Sequence, residues 1–180
     1  MGTPKEPARV KYFVGILCAE PDLISAVEAD LLSLLGAVEE RSDILRWTAS
    51  KYYEEEMGPG LLRCFISFKG LAAPNDLAGV KLATNEIEQR YRRGEKAGRR
   101  VNIDPGYVES GKLVLASTKN ANHRIYLGCG IYAEVTLQFH HGEYHGAPHT
   151  YPDYSWPEAV AFFASLRTRY LTQLRNGDDS

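Results

Sequence analysis

Side chains that can carry charge or move protons are concentrated between residues 102 and 139 of this 180-residue chain. Carboxylates and a histidine in that stretch can act as acids, bases or metal ligands. The residues predicted to be catalytic are Asp104, His123 and Glu134. Cationic and phenolic side chains beside them can bind phosphate, since Arg offers a planar fork and Lys a mobile point charge. The residues predicted to bind a ligand are Tyr107, Lys112, Lys119 and Arg124.

Asp104 and Glu134 are also the predicted ligands of Mg²⁺, a cation that takes oxygen ligands and keeps waters beside substrate phosphates. The chemistry expected from this stretch is that of an enzyme or binding protein acting on a nucleotide or other phosphorylated ligand with Mg²⁺. No Walker loop or other phosphate-binding motif accompanies these residues, so the sequence defines neither the ligand nor a reaction.

Two other classes of function remain open from the sequence. One is an RNA-binding module on a ferredoxin-like sheet, although the expected RNP1 pattern of a basic residue, glycine and aromatics is absent. The other is a structural or regulatory partner protein, in which the tyrosine-rich segments 52–53 and 151–154 would form an interface.

The Asp104-Pro105-Gly106-Tyr107 segment predicts a sharp turn at the end of a strand. Proline favours an extended residue before it, and glycine permits a turn after it. Asp104 would then either face a site or hydrogen-bond its own turn, and the two interpretations are about equally supported.

Three further polar sets have two interpretations each. Along the second long helix, Lys81, Asn85 and Glu88 align and would border a cleft or, more commonly, face solvent. A basic segment that could attract a phosphate backbone or form a solvated loop consists of Arg90, Arg92, Arg93, Lys96, Arg99 and Arg100. A histidine-rich segment contains His140, His141, His145 and His149 and could bind a metal ion. Glycine and proline residues within it would break a helix that could align these side chains, which argues against a metal site.

Composition limits the class of protein. The net charge of −2 and the isoelectric point near 6.2 argue against coating nucleic acid by bulk charge. Cys18, Cys64 and Cys129 form no metal-binding or disulfide pattern and are typical of reduced thiols in a cytoplasmic protein. No run approaches the ~18 apolar residues of a membrane helix, so no membrane association is expected.

Apolar periodicity predicts strands at 12–17, 44–48, 61–68 and 99–103, with helices from about 21 to 36 and from 74 to 93. This order is the βαββαβ arrangement of an α+β, ferredoxin-like fold with an antiparallel sheet. We expect a single domain over 1–180, with this core at about 11–108. A β-hairpin and a C-terminal helix would extend it over about 109–176, and 1–10 and 177–180 would be flexible ends. Residues 109–119 suit a short helix or a strand, and the short helix is favoured.

The hairpin can be predicted in detail because 125–127 and 131–139 alternate apolar and polar residues. A three-residue loop, Gly128-Cys129-Gly130, keeps the apolar residues on one face by pairing Leu127 with Ile131 and Ile125 with Ala133. On the outer face, Tyr126 would then lie opposite Tyr132. Arg124 would lie opposite Glu134, as a surface ion pair or as part of a site. The predicted apolar face comprises Ile125, Leu127, Ile131, Ala133, Val135, Leu137 and Phe139.

The segment 102–107, Asn-Ile-Asp-Pro-Gly-Tyr, resembles the Asn-Leu-Asp-Pro-Gly-Tyr motif of an uncharacterised prokaryotic protein family, a domain of unknown function. Ile103 replaces the leucine of that motif conservatively. The resemblance extends over almost the whole chain, including segments 52–58, 123–128, 132–137 and 150–154. It implies membership of the family and brings no catalytic residue, cofactor or substrate with it.

Overall fold

The structure is a computed structural model that describes residues 2–92, 94 and 98–177. Its strands are β1 (Lys11–Cys18), β2 (Val38–Arg41), β3 (Leu45–Arg46), β4 (Leu62–Phe68), β5 (Val101–Val108), β6 (Lys112–Ser117), β7 (Ile125–Gly128), β8 (Ile131–His140) and β9 (Glu143–Gly146). Its helices are α1 (Pro21–Leu35), α2 (Glu54–Met57), α3 (Leu77–Arg90) and α4 (Pro157–Asn176), with 3₁₀ turns at Pro74–Asp76 and Pro152–Ser155.

The described strands form one open, antiparallel, nine-stranded sheet. Its order is β2-β4-β1-β5-β6-β8-β7, with β3 beside β4 and β9 beside β8. Strand β1 lies inside the sheet between β4 and β5, all its residues are buried, and it pairs with β5 along its whole length. An uninterrupted apolar run is typical of a strand that is covered on both faces, which is why the sequence predicted β1 correctly.

Helices cover both faces of the sheet. On one face, Leu23, Val27 and Leu31 of α1 pack against β1 and β4, and Ile87 of α3 joins the same cluster. On the other face, α4 packs against β1, β4, β5 and β9, and its buried aromatic residues include Phe163. The predicted mixture of helices with an antiparallel sheet is confirmed, and α4 closes the face that α1 and α3 leave open.

The strand predicted at 44–48 was placed too late in the chain. The main edge strand is β2, at 38–41, and only Leu45 and Arg46 of the predicted segment pair with β4. The sequence of β2 is Val-Glu-Glu-Arg, and none of these residues is fully buried. A charged edge strand protects the sheet from pairing with other chains, but it carries no apolar alternation that a sequence reading can detect.

The short helix favoured for 109–119 is wrong, because 112–117 form β6. Leu113 and Leu115 pack towards α4, while Val114 and Ala116 pack towards α3. A segment buried on both sides has no alternation to distinguish it from a buried helix. Its conformation is decided by the two strands that pair with it, β5 directly before it and β8 after it in the sequence.

The turn predicted for Asp104-Pro105-Gly106-Tyr107 is also wrong, since all four residues lie inside β5. Pro105 lies opposite Val14 of β1, and pairing with β6 begins only at Gly106. Gly106 allows Val114 of β6 and Phe13 of β1 to pack closely against the backbone of β5. A Cβ atom at this position would lie 2.4 Å from the backbone oxygen of Val114 and 2.7 Å from the ring of Phe13.

The hairpin prediction was partly correct. Ile125 pairs with Ala133 and Tyr126 pairs with Tyr132 as expected, but Gly128, and not Leu127, pairs with Ile131. The loop is therefore the two residues Cys129 and Gly130, both with positive φ, as in a type I′ turn. Leu127 forms the irregularity that absorbs the extra residue.

The single apolar face predicted for the hairpin does not form. The β6–β8 ladder shifts register between the pairs Leu113–Leu137 and Val114–Val135, which leaves Thr136 as an extra residue in β8. Leu137 consequently packs with α4, whereas Ile131 packs on the α3 side. Ile125 is 73% exposed. A bulge reverses the side-chain faces beyond it, so period-2 alternation cannot be extrapolated across it.

The two predicted flexible ends differ in what can be described. Within 1–10, the Arg9 guanidinium donates to Leu71 O, and Val10 forms a bridge with Ala72. Residue 1 and residues 178–180 lie outside the described residues. No helix in the described part of the chain combines the length and the apolar composition needed to cross a membrane. Cys18, Cys64 and Cys129 are free thiols.

Candidate functional site

A cleft opens where β5 and β6 separate. The two strands pair only through Gly106–Val108 and Leu113–Leu115, although β5 continues to pair with β1 back to Val101. The unpaired part of β5 and the end of β6 form opposite walls of a cavity of about 90 Å³. We call this cavity the β5–β6 cleft.

The lining of the cleft is polar, with an aromatic border. Its cationic residues are Arg63, Lys81, Arg99, Lys119 and Arg124. Its carboxylates are Asp104, Glu134 and Asp153. Its aromatic residues are Trp47, Tyr53 and Tyr151. Arg63 lies over Trp47, with 5.6 Å between the guanidinium carbon and the ring centroid.

Side chains of α3 replace the missing strand along the open edge of β5. The Ile103 N–H donates to Glu88 Oε1 at 2.7 Å, and Lys81 Nζ donates to the Ile103 carbonyl at 2.7 Å. Buried backbone groups need such partners, because a lost hydrogen bond in the interior is costly. Lys81 and Glu88 are buried, and Lys81 and Asn85 line the cleft, so this polar stripe does not face solvent, which was the favoured prediction. Burial raises the pKa of the Glu88 carboxyl, while Lys81 and Arg99 oppose that shift.

Arg63 forms the floor of the cleft. It projects from the apolar strand β4, is 3% exposed, and places Nε at 2.7 Å and Nη2 at 2.6 Å from Asp153 Oδ2. Burial disfavours the charge, but the attraction of Asp153, Tyr154 and Asp104 outweighs it and raises the pKa of Arg63. Gly15 makes room for this group, since a Cβ atom there would lie 3.0 Å from Arg63 Nη1 and from the Tyr154 hydroxyl.

Asp104 connects the floor to α3. Its Oδ2 accepts from Asn102 Nδ2 at 2.6 Å and lies 3.4 Å from Arg63 Nη1, and its Oδ1 lies 3.8 Å from Lys81 Nζ. The carboxylate is 24% exposed, so it faces the open space of the cleft as well as the two cations.

Arg124 and Glu134 do face each other, as predicted, but not on an exposed surface. Arg124 Nε lies 2.7 Å from Glu134 Oε2, and the two side chains are 6% and 1% exposed. The guanidinium also donates at 2.8 Å to Ser117 Oγ, to the Lys119 carbonyl and to the Tyr151 hydroxyl. Burial opposes the charge of Arg124, but Glu134 and Tyr151 raise its pKa. Arg124 thus connects the loop after β6, strand β8 and the segment before α4.

The rim carries the remaining cations. Arg99 binds both carboxylate oxygens of Glu56 at 2.9 and 2.8 Å and donates to Asn102 Oδ1 at 2.8 Å. Lys119 Nζ donates to the Tyr52 hydroxyl at 3.1 Å and lies over that ring. Arg93 and Lys96 of the predicted basic segment lie outside the described residues.

The predicted site residues divide between two depressions that share Glu134. The β5–β6 cleft contains Asp104, Lys119, Arg124 and Glu134. A shallower depression, which we call the outer groove, contains Tyr107, Lys112, His123 and Glu134. Lys112 is paired there with Glu109 at 2.8 Å. The predicted catalytic and Mg²⁺-binding roles of Asp104, His123 and Glu134 stay predictions.

Sequence reasoning missed the buried Arg63–Asp153 pair. An arginine in the middle of the apolar run Leu61–Phe68 was the available signal, because a charged residue in a central strand is rarely buried without a partner. Asp153 gave no comparable signal, since its segment resembled an exposed aromatic loop. The histidine-rich segment does not act as one cluster: His140 stacks on His145, whereas His149 stacks on His123.

Comparison with known proteins identifies a family and no activity. No curated protein and no solved structure matches the chain. A family model described as "Domain of unknown function (DUF4416)" matches residues 8–170, a range that includes every residue named above in the β5–β6 cleft. The chain therefore belongs to the DUF4416 family, a domain of unknown function.

Proposed function

We propose that the β5–β6 cleft binds a phosphorylated small molecule, and that a nucleotide is the favoured class. The observation that carries this proposal is the composition of the lining, in which five cationic side chains surround a cavity bordered by three aromatic rings. Guanidinium and ammonium groups bind phosphate oxygens, and aromatic rings provide surfaces on which a base can stack.

Two features of the polar network support binding inside the cleft. The contacts of Asp104 with Arg63 and Lys81, at 3.4 and 3.8 Å, are long beside the 2.6 Å contact of Arg63 with Asp153. Long contacts between charged groups leave space for a ligand group or a water between them. Lys119 contacts no carboxylate within the described residues, so its charge at the mouth is available to an incoming anion.

Asp153 would accept a hydrogen bond from the ligand. It is 0% exposed, and its Oδ1 has no hydrogen-bond partner among the residues that the structure describes. A buried acceptor without a partner is costly, so a donor such as a ligand hydroxyl, an amine or a water is expected there. A nucleotide carries phosphate oxygens for the cations and hydroxyl donors for this carboxylate.

The two alternative functions receive less support. RNA-recognition sheets stack bases on an open face, but helices pack on both faces of this sheet. The tyrosine-rich segments give the partner-protein alternative less support, because Tyr154 is buried in the core and Tyr151 lines the cleft.

The test is isothermal titration calorimetry of the full chain with nucleotides, sugar phosphates and inorganic phosphate, each with and without Mg²⁺. Lys119→Gln should weaken binding of a phosphorylated compound at least about tenfold, because it removes a charge that has no structural ion pair. Lys112→Gln is the matched control, since Lys112 lies in the outer groove and should leave binding unchanged.

Arg124→Lys is a second test variant and should also weaken binding of a phosphorylated compound. The single ammonium group of Lys cannot replace the planar guanidinium group of Arg, which binds two oxygens at once. Arg41→Lys, at an exposed pair with Glu28, is its control. Equal binding by the native protein, Lys119→Gln and Arg124→Lys would refute the proposal. Binding of RNA fragments with a steep salt dependence, in place of small phosphates, would favour the RNA alternative.

Two finer expectations belong with this proposal. The order β2-β4-β1-β5, with α1 and α3 on one face, supports assigning a ferredoxin-like βαββαβ core, to which β3 and α2 are additions. The Asn102–Tyr107 segment, proposed as the family motif, contributes the amide of Asn102 and the carboxylate of Asp104 to the cleft. The fold by itself implies no activity.

A further inference from the structure

We propose that His123, Glu134 and His149 form a binding site for a divalent transition-metal ion of the Zn²⁺ type. One donor atom from each of these residues lies within 4.8 Å of the others. Imidazole and carboxylate are the usual ligands of catalytic zinc, and two histidines with one glutamate are a known set. This site lies in the outer groove and shares Glu134 with the β5–β6 cleft, and metal binding there goes beyond the phosphate binding proposed above.

The spacing of the donors suits a metal ion. His123 Nε2 lies 3.1 Å from Glu134 Oε2. Two ligands of a tetrahedral ion, each about 2.1 Å from it, lie about 3.4 Å apart. The imidazoles of His123 and His149 are stacked, with centroids 4.1 Å apart and planes inclined by 12°. Because imidazole lone pairs lie in the ring planes, two parallel rings do not both point at one ion, so metal binding requires one imidazole to rotate about its side-chain bonds. The donor atoms, all within 4.8 Å of one another, are close enough for such a rotation to bring them around one ion.

The surroundings orient the ligands as in established metal sites. His149 Nε2 lies 3.1 Å from the Val135 carbonyl, and donation to that oxygen leaves Nδ1 with the free lone pair. Histidine ligands commonly donate their other N–H to a carbonyl in this way. Glu134 is fixed from two sides, by Thr136 Oγ1 at Oε1 and by Arg124 at Oε2.

The charge around Glu134 selects the kind of metal. Arg124 already offsets the single carboxylate, which disfavours a hard cation such as Mg²⁺ that depends on several oxygen ligands. The two imidazoles favour Zn²⁺, Co²⁺, Ni²⁺ or Cu²⁺ instead. The three residues line the outer groove, and His123 is 30% exposed, so a remaining coordination position is open to water or to a ligand in that groove.

The test is calorimetric titration of the untagged full chain with Zn²⁺, and with Co²⁺ followed by visible absorption. We expect one equivalent to bind with a tetrahedral or five-coordinate Co²⁺ spectrum. His149→Ala and His123→Ala should each weaken binding at least about tenfold, while circular dichroism shows an unchanged fold. His149→Gln provides a second variant if the alanine substitution prevents folding.

The matched control is the double variant His140→Ala/His145→Ala, which removes a stacked histidine pair outside the site. It should bind the metal like the native protein. Loss of binding in this control with retention in His149→Ala would place the metal on His140 and His145 and overturn the proposal. Failure of all metals to bind would also overturn it. Phosphate binding by His149→Ala, measured in parallel, shows whether the cleft is intact, so the two proposals can fail separately.

Discussion

The two edges of β5 show how this protein creates an opening in a continuous sheet. On the β1 edge, all eight residues of β5 are paired, from Val101 to Val108. On the β6 edge only three are paired, and side chains of α3 complete the bonding at Ile103. Backbone pairing leaves no room for a ligand. Where side chains replace it, charged groups enter the sheet and a cleft forms.

The two edges of β5 also differ in the interactions that stabilise them. The paired edge depends on backbone bonds and apolar packing, which tolerate many side chains. The open edge depends on buried charges, and each buried charge needs a specific partner because desolvation is expensive. Substitutions at the open edge should therefore be costly in stability even where they are conservative in shape.

The largest expected effect is at the floor of the cleft. Asp153→Ala removes the short-range ion-pair partner of Arg63, so that the remaining carboxylate contact of this buried guanidinium among the described residues is the long one to Asp104. We expect the free energy of unfolding to fall by about 3–5 kcal/mol, as for other broken buried pairs. Urea denaturation followed by circular dichroism measures it. A loss of less than about 1 kcal/mol, which is typical of exposed pairs, would show that the Arg63–Asp153 pair does not contribute to stability as a buried ion pair.

The next effect tests Gly106, the first residue of β5 that pairs with β6. Gly106→Ala would place a methyl group 2.4 Å from the Val114 backbone oxygen, which cannot rotate away. We expect a loss of about 1–3 kcal/mol or more by overpacking. Gly79→Ala, at an α3 position where a Cβ meets nothing within 4 Å, is the control and should not destabilise the protein. Equal stability of the two variants would contradict the close contact of β5 and β6.

A comparable or smaller effect is expected at the open edge. Lys81→Met keeps the aliphatic length but leaves the Ile103 carbonyl without its donor. We expect a loss of about 1–3 kcal/mol, the usual cost of an unsatisfied buried acceptor. Leu82→Met, on an exposed position of the same helix, controls for the introduced side chain. If Lys81→Met is neutral, α3 does not replace the missing strand.

The smallest expected effect is a pH dependence from Glu88. Burial raises its pKa above the ordinary value of 4.5, and Lys81 opposes the shift. Between 4.5 and the raised value the folded state binds more protons than the unfolded state, so stability falls as pH rises through that window and then levels. Relative to Glu88→Gln, the native protein should lose stability from about pH 4.5 upward in urea titrations. If the difference in the free energy of unfolding between the native protein and Glu88→Gln stays constant across this range, the pKa of Glu88 is not raised.

The sequence by itself determined the elements whose burial follows a simple period. It predicted β1 and β4 from their apolar runs, and α1 and α3 from spacings of three and four residues. It also placed Arg124 opposite Glu134, because cross-strand partners follow from the pairs Ile125–Ala133 and Tyr126–Tyr132. These are local relations, in which the distance along the chain fixes the face on which a side chain lies.

Only the tertiary structure decided where the sheet opens. Nothing in the local pattern indicates that β6 leaves β5 after three pairs, that a bulge at Thr136 turns Leu137 towards α4, or that Arg63 meets Asp153 across 90 positions of sequence. Pairing partners and their register depend on contacts between distant segments, so the same run of residues can be a helix, a strand or a turn. The cleft consists of such contacts, which is why its charged residues could be suspected from the sequence but not assembled.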